Sequence, residues 1–160
     1  MNAQQQFSPA PVRRSVRVKA TPERAFEVFA RQMGKWWPNG HSIGTSPLMD
    51  VIIEPRLGGR FYERGEDGSE YLWGRVIEYH PGKQLLLAWQ LNAEWKFDPD
   101  FEVELEIRFT PDGEYTVVEL EHRHLERFGA RAHEIAASLG GKDGWPGILV
   151  SYVEAVNAAA

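Results

Sequence analysis

The chain has 160 residues, about one domain's worth and enough to bury roughly 70% of the surface its unfolded form exposes. Its 23 acidic and 18 basic residues leave a formal charge of −5, with the two signs interspersed along the chain, a pattern that repels phosphate backbones and excludes a nucleic-acid partner. Cysteine is absent, which excludes disulfides, thiolate metal sites and zinc fingers and suits a reducing compartment.

Residues 1–11 are polar, Gln-rich and carry Pro9 and Pro11, so a disordered N-terminal arm is expected there, with one domain over residues 12–160. Met1 to Gln6 has neither the basic nor the apolar region of a secretory leader, and no later stretch is long enough to span a bilayer. A cytoplasmic protein without membrane insertion is the expectation. Val12, Val16 and Val18 share one parity with arginines between them, which predicts a half-buried first strand ending at Ala20. Thr21-Pro22-Glu23 then opens a helix: the threonine caps it, the proline fits its first turn, and the glutamate faces the positive end of the dipole. Ala25, Phe26, Phe29 and Met33 follow at helical spacing, and Gly34 is read as the stop. Trp36-Trp37-Pro38-Asn39-Gly40 begins an irregular segment that reaches to about Pro47.

Alternating runs separated by turn residues come next and predict an antiparallel meander. Met49–Glu54 precedes Pro55 and Gly58-Gly59, Arg60–Arg64 precedes Glu66-Asp67-Gly68, and Glu70–Tyr79 precedes His80-Pro81-Gly82. Gln84–Leu91, Phe101–Phe109 and Tyr115–His124 complete the set. Val103, Leu105, Ile107 and Phe109 alternate with Glu102, Glu104, Glu106 and Arg108, so the apolar face points inward and the glutamates read as solvated surface. By the same parity Val118, Leu120 and His122 point inward. A helical patch over Ala130–Leu139 leads to Gly140-Gly141, and Trp145, Leu149, Tyr152, Val153 and Val156 mark the apolar stripe of a terminal helix. The class is α+β, one curved antiparallel sheet of about seven strands gripping a long C-terminal helix.

The order strand, short helix, six-strand meander and C-terminal helix resembles the START-like superfamily, also called SRPBCC, with its helix-grip or Bet v 1-like fold. Thr21-Pro22-Glu23-Arg24-Ala25-Phe26, Trp36-Trp37-Pro38, Pro55-Arg56-Leu57-Gly58-Gly59-Arg60-Phe61, Trp73-Gly74-Arg75-Val76, His122 and Gly144-Trp145 are similar to the activator of heat-shock protein 90 ATPase homologue family. That resemblance runs from about Val12 to Ala155. It implies a cavity between sheet and helix, and it brings in lipid carriers, polyketide binders, cyclases, stress-associated proteins and a chaperone contact as functional classes. The eukaryotic co-chaperone that gives the family its name couples this domain to a second one, for which this length leaves no room.

The six tryptophans, with Phe61, Tyr71, Tyr79 and Tyr152, are the most unusual feature of the composition. Large rigid rings bearing a directional N–H or O–H suit the wall of an amphipathic pocket, although each ring taken singly is first a core residue. The ligand-binding set is read as Trp36, Trp37, Phe61, Tyr71, Trp73, Trp89, His122, Trp145 and Tyr152. Neighbouring Trp36 and Trp37 in a non-helical loop are expected to point different ways. Tyr71, Trp73, Arg75, Ile77 and Tyr79 share a parity, and Arg75 on it reads as solvated because arginine is seldom buried unpaired. His122 reads as a satisfied core histidine, a ligand-orienting group or a general base.

No catalytic residue, cofactor or metal ligand is assigned. His122 and His124 lie on one face, but no motif supplies a third ligand. Gly58-Gly59 precedes a strand and lacks the lysine and hydroxyl of a P-loop, and no serine sits in a nucleophile elbow. The expected function is noncatalytic binding of a small, largely apolar or aromatic molecule. A cyclase or hydrolase using the same cavity and a chaperone-associated interaction module are the alternatives, and a homodimer is a further partner reading.

Overall fold

Strand β1 (Val12–Val18) buries Val12 and Val18 and leaves Arg13 and Arg17 outside, as its alternation requires, while Arg14, on the valines' parity, stays exposed and donates to the Gly140 carbonyl at 2.8 Å. The computed structural model describes residues 8–158; residues 1–7, most of the expected arm, lie outside the described residues. Helix α1 (Pro22–Arg31) starts where Thr21 Oγ1 accepts the Arg24 N–H at 3.1 Å, with Pro22 and Glu23 in the first turn and Arg31 in the last. It buries Ala25, Phe26, Val28, Phe29 and Ala30. Gly34 is not the stop. The chain breaks at Gln32 and makes one further turn, α2 (Met33–Trp36), around Gly34. A Cβ at Gly34 would stand 1.8 Å from Asp50 Oδ1, so the glycine serves the close approach of α2 to the sheet.

Strands β2 (Leu48–Ile53), β3 (Arg60–Gly65), β4 (Glu70–His80), β5 (Gln84–Trp89), β6 (Val103–Asp112) and β7 (Tyr115–Arg123) follow in the meander expected. The seven-stranded antiparallel sheet has the order β1-β7-β6-β5-β4-β3-β2 and curls into a half-barrel. After it come 3-10 turns over Leu125–Arg131, α3 (Ala132–Gly140) and α4 (Trp145–Ala158). The last helix packs on β1, α1 and α2, which makes the helix grip. Val103, Leu105, Ile107, Val118, Leu120 and His122 all lie buried on the concave side, the parity read from β6 and β7. Each large apolar side chain buried here contributes about 1.5–3 kcal/mol relative to exposure.

Two departures have physical causes. Glu106 is only 4% exposed instead of solvated, because Arg108, Arg123 and Gln84 all donate to its carboxylate. Burial pushes its carboxyl up, but the hydrogen bonds from Arg123, Gln84 and Arg108 outweigh burial and hold it below the ordinary value.

The single parity read along β4 does not persist. Phe61 and Tyr62 of β3 face Gly74 and Leu72, leaving Trp73 as an extra residue, and Val76 and Glu78 face Leu87 and Leu86, leaving Ile77 extra. Trp73 and Val76 are therefore buried while Arg75 is exposed and pairs with Glu102 at 2.7 Å. Gly74 sits at this bend, where a Cβ would stand 1.8 Å from the Ala88 carbonyl oxygen of the next strand.

Candidate functional site

The bulge at Trp73, the last residue of β5, the first residue of α4 and the residue after α2 bring four indoles together. Ring centroids lie 5.3 Å apart for Trp37–Trp73, 6.3 Å for Trp73–Trp89, 6.2 Å for Trp89–Trp145 and 5.9 Å for Trp145–Trp37, so the four close a ring. All four separations fall in the range of favourable tilted or edge-to-face contacts. These rings line a cavity of about 530 Å³. Leu91, Leu139 and Ile148 add aliphatic wall, and the exposed Glu94, Lys96 and Asp143 put charge on the solvent side. Trp95, at φ 60° and 39% exposed, also lines it.

Each indole N–H needs an acceptor when buried. Trp37 donates to the His41 carbonyl at 2.8 Å, Trp73 to Glu63 Oε1 at 2.9 Å and Trp145 to His122 Nδ1 at 3.1 Å. Trp89, 4% exposed, has no acceptor for its Nε1–H among the described residues.

Glu63 is fully buried and takes three N–H groups: Trp73 Nε1, Ile43 N at 2.7 Å and Gly44 N at 3.1 Å. It thereby ties the irregular segment after α2 to the floor of the sheet. Three donors on one carboxylate compensate the cost of burying it.

Two histidines have their tautomers set by neighbours. His41 Nε2 lies 2.7 Å from the Asp143 carbonyl oxygen, which can only accept, so Nε2 carries the proton and Nδ1 is left as an acceptor. That Nδ1 is buried and has no partner among the described residues. His122 Nδ1 accepts from an indole, so the proton of its neutral ring sits on Nε2, which is also buried without a partner among the described residues. Burial pushes the His122 imidazole down to about 3.

The structure places Trp37, Trp73, Trp89 and Trp145 of the sequence-read set on the cavity wall. It does not bring the other five there. Trp36 donates to the Val28 carbonyl at 2.8 Å and packs between Phe29 and Tyr152, and Tyr152 donates to the Ala25 carbonyl at 2.7 Å, which fixes both under α1. Phe61 lies behind Trp73 and Trp89, with centroids 5.2 and 6.3 Å away. His122 lies behind Trp89 at 4.8 Å, and Tyr71 is half-buried against Gly44.

Sequence reasoning missed His41 and Glu63. Glu63 carried a usable signal, since it shares parity with the inward Phe61; His41 carried none, since its segment has no period. Among the described residues no group of three or more His, Cys, Asp or Glu is arranged to hold a metal ion, and no helix is long and apolar enough to cross a membrane.

A curled antiparallel sheet closed by a C-terminal helix over an aromatic cavity is the helix-grip architecture of the START-like, or SRPBCC, proteins. Within that class the chain belongs to the Activator of Hsp90 ATPase homolog 1-like protein family, whose model matches residues 19–156. Among solved structures it is similar to the anthrahydroquino-gamma-pyrone synthase Txn09, with 36% identity, a TM-score of 0.65, and coverage of 92% of this chain and 97% of that one. It is also similar to CalC, a self-sacrificing resistance protein from Micromonospora echinospora, with 31% identity, a TM-score of 0.68, and coverage of 96% and 97%. The Aha1 dimer from Colwellia psychrerythraea shares the fold at 15% identity and a TM-score of 0.62, covering 93% and 97%. No curated protein matches this chain.

Proposed function

We propose that the chain is a cytoplasmic protein that binds a small, flat, largely aromatic molecule in the four-tryptophan cavity. The observation that carries this reading is the closed ring of indoles around a space of about 530 Å³, within the usual range for drug-sized ligands. Aromatic faces give a flat molecule a large contact area with little side-chain entropy lost, since the four rings already hold one another in place. The relative at 36% identity is named for making a fused-ring pyrone, which supports a ligand of that shape here.

Native and denatured masses of the freshly purified protein test for a retained host molecule. Fluoren-9-one is the defined probe, and quenching of tryptophan fluorescence with a Kd below about 100 µM is expected. No retained mass and no quenching by fluoren-9-one in folded protein would remove the reading.

Ring-closing catalysis in the same cavity is the second reading, favoured by the likeness to a synthase across nearly the whole of both chains. His41 lines the cavity and is the imidazole there, and since its unpartnered Nδ1 is buried, it takes a proton from a bound substrate only if the ring turns toward the cavity. Turnover of a poly-β-ketone thioester that is lost in His41→Phe, with binding retained, separates this reading from simple binding. A chaperone contact, expected from the resemblance, or a homodimer would use outer surface and leave the cavity free for the ligand.

A further inference from the structure

We propose that Trp95 is the ligand's fifth aromatic contact, a fixed ring at the mouth of the cavity that the bound molecule covers. The inference rests on the cavity being the binding site and assigns its solvent-side contact.

Trp95 stands apart from the other five tryptophans. Trp36, Trp37, Trp73, Trp89 and Trp145 are all buried, and each is in contact with another indole. Trp95 is 39% exposed and, among the described residues, lies outside both that network and the hydrophobic core. A large ring left partly in water contributes little to the fold, and its apolar surface is free to be covered by something else.

Its backbone is also strained. At φ 60° a bulky side chain carries a steric cost that glycine or asparagine largely avoids. The surrounding turn holds it there. Trp95 N–H donates to the Asn92 carbonyl at 2.9 Å, and Asn92 Oδ1 accepts from the residues on either side, Glu94 N–H at 3.0 Å and Lys96 N–H at 3.1 Å. Arg131, from the turns after β7, donates to the Ala93 carbonyl at 3.0 Å and ties this tip to the body of the protein. Strain imposed in this way by the surroundings is typical of ligand clamps.

What Trp95 lines is the cavity, the same space as Trp37, Trp73, Trp89 and Trp145, on the side where Lys96 and Asp143 meet solvent. A flat aromatic molecule filling that space takes the ring's apolar surface out of water. The turn is already fixed, so the contact forms with little ordering cost.

Equilibrium dialysis of the whole protein with fluoren-9-one, paired with thermal melts, tests the assignment in two variants. Trp95→Asn removes the ring and relieves the backbone, whereas Trp95→Phe keeps a ring on the same strained backbone. Trp95→Asn is expected to weaken binding about tenfold while Tm falls by no more than about 3 °C, and Trp95→Phe is expected to bind within about threefold of the parent. Fluorotryptophan labelling reads the contact itself. The fluorine NMR signal that Trp95→Asn removes is expected to shift between light and heavy water in the free protein, and to lose that shift when fluoren-9-one is bound. Equal affinities of parent and Trp95→Asn overturn the inference while leaving binding in the cavity intact, and so does a solvent shift that survives saturation. A large fall in Tm in Trp95→Asn shows that the ring holds the fold and overturns it as well. Absence of fluoren-9-one binding by the unaltered protein overturns the binding reading itself and this inference with it.

Discussion

Replacing His122 by asparagine is expected to flatten the acid side of the protein's stability profile. His122 is fully buried, its Nδ1 is held by Trp145, and burial lowers its pKa from 6.5 to about 3. In the unfolded chain the imidazole takes a proton as pH falls below 6.5; in the folded chain it stays neutral down to about 3. The unfolded state thus binds the extra proton, and stability rises with pH across this window and is lost as pH falls. Between pH 7 and pH 5 the two values give a loss of about 2 kcal/mol, or roughly 4–8 °C in Tm for a chain of this length. The carboxylates held below their ordinary value of 4.5, among them Glu106, Glu54 and Glu70, act below this window. Asparagine keeps an acceptor for the Trp145 N–H and removes the titration. It costs a constant amount at every pH, and that constant cancels when pH 7 is compared with pH 5. Urea unfolding at the two pH values, for both proteins, is the assay. A variant that loses as much as the parent, or a parent that loses less than about 0.5 kcal/mol, would refute the reasoning.

Further expectations concern the elements that shape the cavity. Gly74→Ala drives a Cβ into the Ala88 carbonyl, a backbone atom that cannot swing aside, and is expected to cost more than about 3 kcal/mol in urea unfolding; a loss under about 1 kcal/mol would show that the bend relaxes freely. Glu63→Gln offers one acceptor oxygen where three N–H groups now converge, so a loss of roughly 2–4 kcal/mol and weaker fluorenone binding are expected, and unchanged values for both would deny Glu63 its anchoring role. Glu106, held below its ordinary value, contributes stability that is present above about pH 4.5 and lost as pH falls through its folded value. Glu106→Gln is expected to be less stable at neutral pH and to lose less than the parent between pH 5 and pH 3, as read by thermal melts.

Legibility in the sequence followed how cleanly each segment separates its two faces. In β6 and β7 one face meets the core and the other is largely polar and, apart from Glu106, partly or fully exposed, so alternation was visible and His122 could be placed indoors from its neighbours Val118 and Leu120. Strand β4 is different. Its two extra residues, Trp73 and Ile77, are set by the partners' register, which no local pattern in β4 reveals. The tryptophans were visible as an inventory, but their grouping was not, because the ring draws one member each from the loop after α2, a bulge, a strand end and a helix start. Trp36 and Trp37 show the difficulty best: adjacent and equally buried, one packs under α1 with Phe29 and the other joins the cavity wall.

The segment carrying His41 joins these observations. It has no regular structure, yet it is held at three places by groups far away in sequence: Ile43 and Gly44 by Glu63, the His41 ring by the Asp143 carbonyl, and the His41 carbonyl by Trp37. A loop fixed in this way forms its part of the cavity wall without an ordering cost on binding. Trp89, at the end of a central strand and opposite the bare Gly74, is fixed by the sheet itself. Trp89→Phe removes no internal hydrogen bond but shortens one ring of the cavity wall, so weaker fluoren-9-one binding is expected while Tm moves by only a few degrees. A large fall in Tm with fluoren-9-one affinity unchanged would place Trp89 among the structural residues and outside the ligand's contact.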